Sequence, residues 1–199
     1  MTKVTKTTET ELKLLLTQDS YKALKNQLEK KGVDLKQINI FFDNPEQVLR
    51  KNKWALRLRF QNEKAILTAK GPCRPDNGVF QRKEIESEIP FQTGQKLKNG
   101  FSIDGINASP AQYILQKFGK LILSPYLTFK NTRSLVDFDG FCLELDHSEA
   151  NGNSLYELEC ETETPKLVQI KEKLHHFFDE FGWDFQFSSK SKLEWALNK

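Results

Sequence analysis

The sequence predicts an α+β fold: a closed antiparallel β-barrel of eight strands with helices packed outside. Three observations carry this. About eight segments alternate apolar and polar residues at the strand period, with turn signals between them. Three or four stretches have helical spacing, and they do not alternate with the strands as βαβ units would. Charged side chains align in rows along most of the strands. Closure removes the exposed edges of such a sheet, and a charged interior must hold water or a ligand.

The elements follow in chain order. A strand is expected over 7–16. Ser20 is set to cap a helix running to Lys31, with Tyr21, Leu24 and Leu28 on one face and Gly32 as its stop. A strand over 37–42 leads into the turn Asp43-Asn44-Pro45, and 46–52 reads as a short helical turn. Strands over 54–61 and 64–70 form a hairpin through Asn62-Glu63. A loop over 71–78 precedes a long alternating strand, 79–89. The polar stretch 93–105 reads as irregular. Ser109 as cap and Pro110 as first residue open a helix ending at Gly119. One long strand, or two interrupted near Pro125, fills 121–138. Strands over 141–146 and 155–163 flank a Gly/Asn/Ser turn. Thr164-Pro165 opens a helix whose apolar face holds Leu167, Ile170, Leu174, Phe177, Phe178 and Phe181, and Gly182 stops it. A terminal helix is expected over 190–198.

Composition narrows the function classes. The 199 residues suit one domain, 1–199, large enough to bury a core. With 30 basic and 27 acidic residues the net charge is only +3, which argues against nucleic acid or a membrane as partner. The three cysteines, Cys73, Cys142 and Cys160, lack CxxC spacing and read as reduced thiols of a cytoplasmic protein. No apolar h-region is visible near the start, and no run suits a membrane span.

The arrangement of the charges is more informative than their sum. Glu9, Glu11 and Lys13 share one strand face, opposite Thr10, Leu12 and Leu14. Arg57 and Arg59 lie opposite Trp54, Leu56, Leu58 and Phe60. Lys70 shares a face with Ile66 and Thr68. Arg82, Glu84, Glu86 and Glu88 form another row, Arg133 lies in the long strand, and Glu144 alternates with Asp146. Glu157, Glu159 and Glu161 complete the set. A single charged row is usually a solvated face or an ion-pair ladder. Seven in one chain point further, with Glu88 and Glu161 the weakest members. Hard divalent cations take carboxylate oxygens and complete their shell with phosphate, Arg forks match phosphate oxygens, and Lys adds a compact charge. Such an interior would grip a metal–polyphosphate complex, in which a metal-held water attacks the terminal phosphorus in line.

These residues resemble the CYTH superfamily, the triphosphate tunnel metalloenzymes. The likeness rests on ExExK from Glu9, RLR from Arg57, Lys70, LELD ending at Asp146, YELE ending at Glu159, and SSKSKLEWAL from Ser188. The ordered combination is far more specific than ExExK alone. The resemblance implies an eight-stranded tunnel that binds a small-molecule triphosphate with Mg2+ or Mn2+. It implies that Glu9 and Glu11 place one metal and its water, and that Asp146, Glu157 and Glu159 hold another. Lys13, Arg57, Arg59, Lys70, Arg133 and Lys190 would bind phosphate. Arg82 and Glu84, as substrate and metal residues, match a less regular family position, with Glu86 a substitute for Glu84. Lys192 competes with Lys190; the Ser-Lys context favours Lys190, which is also counted as catalytic with Glu9 and Glu11.

The expected activity is hydrolysis of the terminal phosphate of a linear triphosphate, inorganic tripolyphosphate first, by a monomer or homodimer. Alternatives are a thiamine or nucleotide triphosphatase, a class IV-type adenylate cyclase, and a non-catalytic polyphosphate-binding module. The His-Phe motif of some cyclases is missing; the chain reads Asn39-Ile40-Phe41-Phe42 there. Strict alternation puts Trp54 away from Arg57, under a helix, unless a bulge reverses the parity. His147, His175 and His176 are not read as metal ligands.

Overall fold

The computed structural model describes residues 4–73 and 75–197. The chain divides into two compact units. Within the described residues, the first takes in 4–8, 36–73 and 82–130, and the second 9–35, 75–81 and 131–197.

In chain order the elements are β1 (Val4–Leu16), α1 (Gln18–Gln27), β2 (Glu29–Lys30), β3 (Leu35–Asp43), α2 (Val48–Lys51), β4 (Ala55–Gln61), β5 (Lys64–Lys70) and β6 (Val79–Ile89). Then come α3 (Phe91–Leu97), β7 (Phe101–Ser102), α4 (Ser109–Phe118), β8 (Ile122–Phe138), β9 (Phe141–Ala150) and β10 (Asn153–Glu161). The described chain ends with α5 (Leu167–Glu180), β11 (Gln186–Phe187) and α6 (Lys192–Leu197). The strand order is β10-β9-β8-β3-β4-β5-β6-β1, and β10 pairs with β1, so the order closes as an eight-stranded antiparallel barrel. The short pieces β2 and β7 add to β8, and β11 adds to β1.

In the first unit, Ile40, Phe42, Leu56, Leu58, Phe60, Leu67 and Ala69 form the apolar face of β3, β4 and β5. It packs against Ala111 and Ile114 of α4 and Leu97 of α3. Trp54 belongs to this core, 5.1 Å from the Tyr113 ring, as strict alternation required. In the second unit, Leu12, Leu14, Val136, Leu143, Leu145 and Leu158 are covered by Tyr21 and Leu24 of α1 and by Leu167, Ile170, Leu174 and Phe178 of α5. With successive residues pointing to opposite faces, covering one face by helices leaves the charged rows on the other.

Several expected boundaries move. The cap of α1 is Thr17, not Ser20: the Thr17 hydroxyl oxygen accepts the Ser20 N–H at 3.1 Å. The helix also stops at Gln27, because Glu29 and Lys30 pair with Asp137 and Val136 of β8 before Gly32 is reached. The 93–105 stretch is not irregular but contains α3, β7 and a 3-10 turn, Ile103–Gly105. Gly94 makes α3 possible, since a Cβ there would lie 2.6 Å from the Ala65 Cβ. Ala108, not Ser109, precedes the first residue of α4. The strand at Pro125 is continuous, with the proline exposed and its missing N–H tolerated. The strand expected to end at Asp146 runs on to Ala150, and the strand expected over 155–163 spans Asn153–Glu161. The last expected helix begins at Lys192 instead of Lys190, and its expected end, Asn198, lies outside the described residues. No helix among the described residues is long and apolar enough to cross a membrane.

Candidate functional site

The second unit carries the densest charged group. Antiparallel register sets Lys13 of β1 opposite Glu159 of β10, and Glu157 opposite Asp146 of β9. Glu11, Lys13, Asp146, Glu157 and Glu159 are all buried. Lys13 Nζ lies 3.1 Å from Glu11 Oε1 and also pairs with Glu159. Arg133 of β8 donates from Nε to Asp146 Oδ1 at 2.8 Å and from Nη2 to Asp146 Oδ2 at 2.6 Å. The same Nη2 reaches Glu159 Oε2 at 2.9 Å, and Nη1 pairs with Glu144. Glu9 is half-buried at the start of this row.

Lys192, rather than Lys190, joins this group. Its Nζ lies 2.8 Å from Asp146 Oδ2 and 3.0 Å from Glu157 Oε2, and it pairs with Glu159. Lys190 is exposed. The reason is local. Ser191 Oγ accepts the Glu194 N–H at 3.2 Å, and Glu194 Oε2 accepts the Ser191 N–H at 2.8 Å. This reciprocal cap starts α6 at Lys192 and leaves Lys190 before the helix. The S-x-x-E spacing of Ser191 and Glu194 is legible in the sequence and could have decided between the two lysines.

The electrostatics follow from burial and pairing. Burial pushes the Asp146 carboxyl up, but Arg133 and Lys192 outweigh it and hold it at about 2. Burial likewise opposes ionisation of Glu159, yet Lys13, Lys192 and Arg133 keep it well below the usual carboxylate range. Burial pushes Glu144 up to about 7 against the pull of Arg133. Burial alone would discharge Lys13 and Lys192; Glu11 and Glu159 on one, and Asp146, Glu157 and Glu159 on the other, raise both. Asp146 and Glu159 are thus hard oxygen donors kept ionised, which suits Mg2+ or Mn2+. Glu157 Oε2 is buried and accepts no hydrogen bond, although Lys192 Nζ is near, so one donor oxygen is incompletely used. Among the described residues no three acidic, His or Cys side chains form a ready-made metal cage, and Glu11, Asp146, Glu157 and Glu159 each face an ammonium or a guanidinium.

The first unit carries a separate row. Arg57 is only 7% exposed. Its Nη2 donates to Thr68 Oγ1 at 3.2 Å and lies 3.8 Å from Glu86 Oε2, while its buried Nε donates to nothing. Lys70 Nζ sits 2.7 Å from Glu84 Oε2. Arg59 Nε donates to Asn39 Oδ1 at 3.0 Å. Arg82 is half-buried on β6, the strand of Glu84. Glu84 and Glu86 are therefore not interchangeable: one faces Lys70 and the other Arg57. Asn39 and Thr68 were missed by sequence reasoning. Strand parity alone places Thr68 opposite Arg57, and Asn39 opposite Arg59. The rings of Phe41, opposite Arg57 in register, and Phe129 stack at 5.7 Å, outside either apolar core.

The remaining candidates lie elsewhere. Glu88 and Glu161 are exposed. His147 stacks on Tyr156 at 4.6 Å, and His175 and His176 are exposed on α5 beside Asp179 and Glu180.

Closed antiparallel strand order together with alternating acidic and basic rows defines a barrel built to hold charge. The chain belongs to the CYTH family: the CYTH domain matches residues 7–184. It is similar to HpAC1 from Hippeastrum, described as a candidate adenylyl cyclase that reveals a dominant triphosphatase activity. That likeness has 27% identity, a TM-score of 0.82 and 94% coverage of each chain. A candidate adenylate cyclase, bh2851, from Bacillus halodurans shares the fold at 22% identity and a TM-score of 0.74, over 97% of this chain and 99% of that one. PH1819 from Pyrococcus horikoshii OT3 shares it at 24% identity and a TM-score of 0.61, over 95% and 98%. No curated protein matches the sequence.

Proposed function

We propose that this protein is a metal-dependent triphosphatase that removes the terminal phosphate of a linear triphosphate, inorganic tripolyphosphate first, in the cytoplasm. The observation that carries it is the buried set Asp146, Glu157 and Glu159 of the second unit, with Asp146 and Glu159 kept ionised and Glu157 Oε2 incompletely used. A set of hard oxygens in that state has use for a hard cation. The likeness to HpAC1, described as having a dominant triphosphatase activity, supports the same reading.

Asp146, Glu157 and Glu159 would hold one Mg2+ or Mn2+, and Glu9 and Glu11 a second; Glu84, in the first unit, is a separate metal-ligand candidate. Bound there, the cation supplies Lewis-acid stabilisation and a water of lowered pKa. Arg57 brings a buried guanidinium with an unmatched Nε, a donor that a phosphate oxygen would satisfy. Arg59, Lys70 and Arg82 in the first unit, and Lys13, Arg133 and Lys192 in the second, are the other phosphate-binding candidates. Lys192 takes the place first given to Lys190 because it is the lysine among the carboxylates. Water attacks the terminal phosphorus, the bridging P–O bond breaks, and the products are phosphate and a diphosphate.

A second reading, an organic triphosphate such as thiamine or nucleotide triphosphate, has one observation in its favour: the Phe41 ring, opposite Arg57 in register, stacks on Phe129. Trp54, buried against Tyr113, offers it nothing. The deciding experiment is phosphate release from tripolyphosphate, thiamine triphosphate, ATP and GTP, each with Mg2+, Mn2+ or EDTA. Fast, EDTA-sensitive release from tripolyphosphate is expected. Release from an organic triphosphate alone would move the assignment to the second reading. No release at all, or pyrophosphate from ATP, would overturn both.

A further inference from the structure

We infer that the Lys192 ammonium occupies the place where Asp146, Glu157 and Glu159 would take a divalent cation, so that metal binding must displace a cation tethered to the chain itself. This rests on the reading of those three carboxylates as metal ligands. Nζ lies 2.8 Å from Asp146 Oδ2 and 3.0 Å from Glu157 Oε2, and it pairs with Glu159. An ammonium has three N–H donors, and here three carboxylates surround it. A divalent ion bound by the same oxygens would sit at roughly 2.0–2.6 Å from them, leaving no room for Nζ between them.

The fit of the ammonium is incomplete. Glu157 Oε2 is 3.0 Å from Nζ yet accepts no hydrogen bond, and the Glu157 side chain is 1% exposed. Hydrogen bonds depend on direction, whereas a metal ion attracts an oxygen from many angles. The leftover oxygen is therefore better matched to a metal than to the lysine. The segment bearing Lys192 is held on both sides. Ser188 Oγ lies 3.2 Å from Glu157 Oε1 and 2.9 Å from the Lys190 carbonyl, and its one proton serves either. Asn151 Nδ2 donates to the Ala196 carbonyl at 3.2 Å. The lysine thus stays at high local concentration, and a metal arriving alone competes against it. An anion that gives the displaced ammonium a new partner would help the metal bind, and by linkage the metal would help the anion equally.

The test uses the full chain with Mn2+ alone, free ion being counted by electron paramagnetic resonance. Lys192→Met keeps the unbranched stem and removes the charge. It is expected to bind Mn2+ about tenfold or more tightly than the unmodified protein. A second measurement needs no variant. Acetic anhydride labelling of Lys192, read by mass spectrometry, is expected to rise several-fold on adding Mg2+, with exposed Lys190 as the internal reference. If the unmodified protein binds Mn2+ but Lys192→Met binds it no tighter, or labelling of Lys192 does not respond to Mg2+, this inference falls and the triphosphatase reading stands. If neither protein binds Mn2+, the metal-ligand reading falls with it.

Discussion

Arg133 holds Asp146 by both carboxylate oxygens, Nε to Oδ1 at 2.8 Å and Nη2 to Oδ2 at 2.6 Å. Two parallel charge-assisted bonds fix orientation as well as charge. The same guanidinium reaches Glu159 at 2.9 Å and pairs with Glu144. Arg133 therefore holds two proposed metal ligands ionised and aimed, besides any contact with phosphate.

Removing that guanidinium should be costly. Arg133→Met would leave Asp146, fully buried, with Lys192 alone and strip Glu144 of its partner. Breaking one side of a buried ion pair costs about 3–5 kcal/mol. Urea unfolding should show a loss of that order, and Arg133→Lys, which keeps charge but not the two-pronged geometry, an intermediate one. A loss under ~1 kcal/mol for Arg133→Met, the range of exposed pairs, would mean that solvent already shares this network.

Glu11→Gln separates chemistry from folding. The substitution keeps the shape and leaves Lys13 paired with Glu159. The melting curve should change little, while turnover of the best triphosphate falls at least a hundredfold, on the order of a lost stabilising group. Unchanged turnover with an unchanged melting curve would remove Glu11 from the metal assignment.

Acid stability should depend on Asp34. Burial opposes its ionisation, but hydrogen bonds from Lys25, Lys30 and Ser134 outweigh burial and hold its carboxyl far below the usual value. Lys25 Nζ lies 2.8 Å from Oδ2, and Lys30 Nζ 2.8 Å from Oδ1. A carboxyl depressed in the folded state stabilises above its unfolded pKa, near 4, and that stability is lost as pH falls through the folded pKa. The unmodified protein should thus exceed Asp34→Asn in urea midpoint at about pH 6, and the gap should narrow steadily as pH falls below about 4. A gap constant with pH would show that the network does not depend on ionisation.

Strand alternation made most of the barrel readable, because a single parity error would put Leu56 or Leu158 among the charges. The rows Glu9-Glu11-Lys13, Arg57-Arg59 and Glu157-Glu159 were legible for the same reason. What was not legible depends on contacts distant in sequence. Thr17 and not Ser20 caps α1, and the helix ends early because β8 captures Glu29 and Lys30. Arg133 reads as an isolated base in the sequence; its three carboxylate partners appear only once β8, β9 and β10 lie side by side. Lys192 was a matter of helix start, decided by the Ser191–Glu194 cap, whose S-x-x-E spacing is in the sequence while its pairing shows only in the structure.

The last prediction concerns α3, a helix in a stretch whose polarity suggested none. Its residues Phe91–Leu97 include a glycine, which costs helix stability by itself, so packing must hold it. Gly94 lets α3 approach β4 and β5: an added Cβ would lie 2.6 Å from Ala65 Cβ and 3.1 Å from the Phe60 ring. Its φ is not in the left-handed region, so Gly94→Ala is a purely steric change, and helix propensity alone would favour alanine. Overpacking should win, lowering stability by about 1–3 kcal/mol in urea unfolding. The double substitution Gly94→Ala with Ala65→Gly removes the clashing methyl and should recover part of the loss. If Gly94→Ala alone stabilises the protein, α3 does not pack as closely on β5 as described, and propensity rather than contact determines that helix.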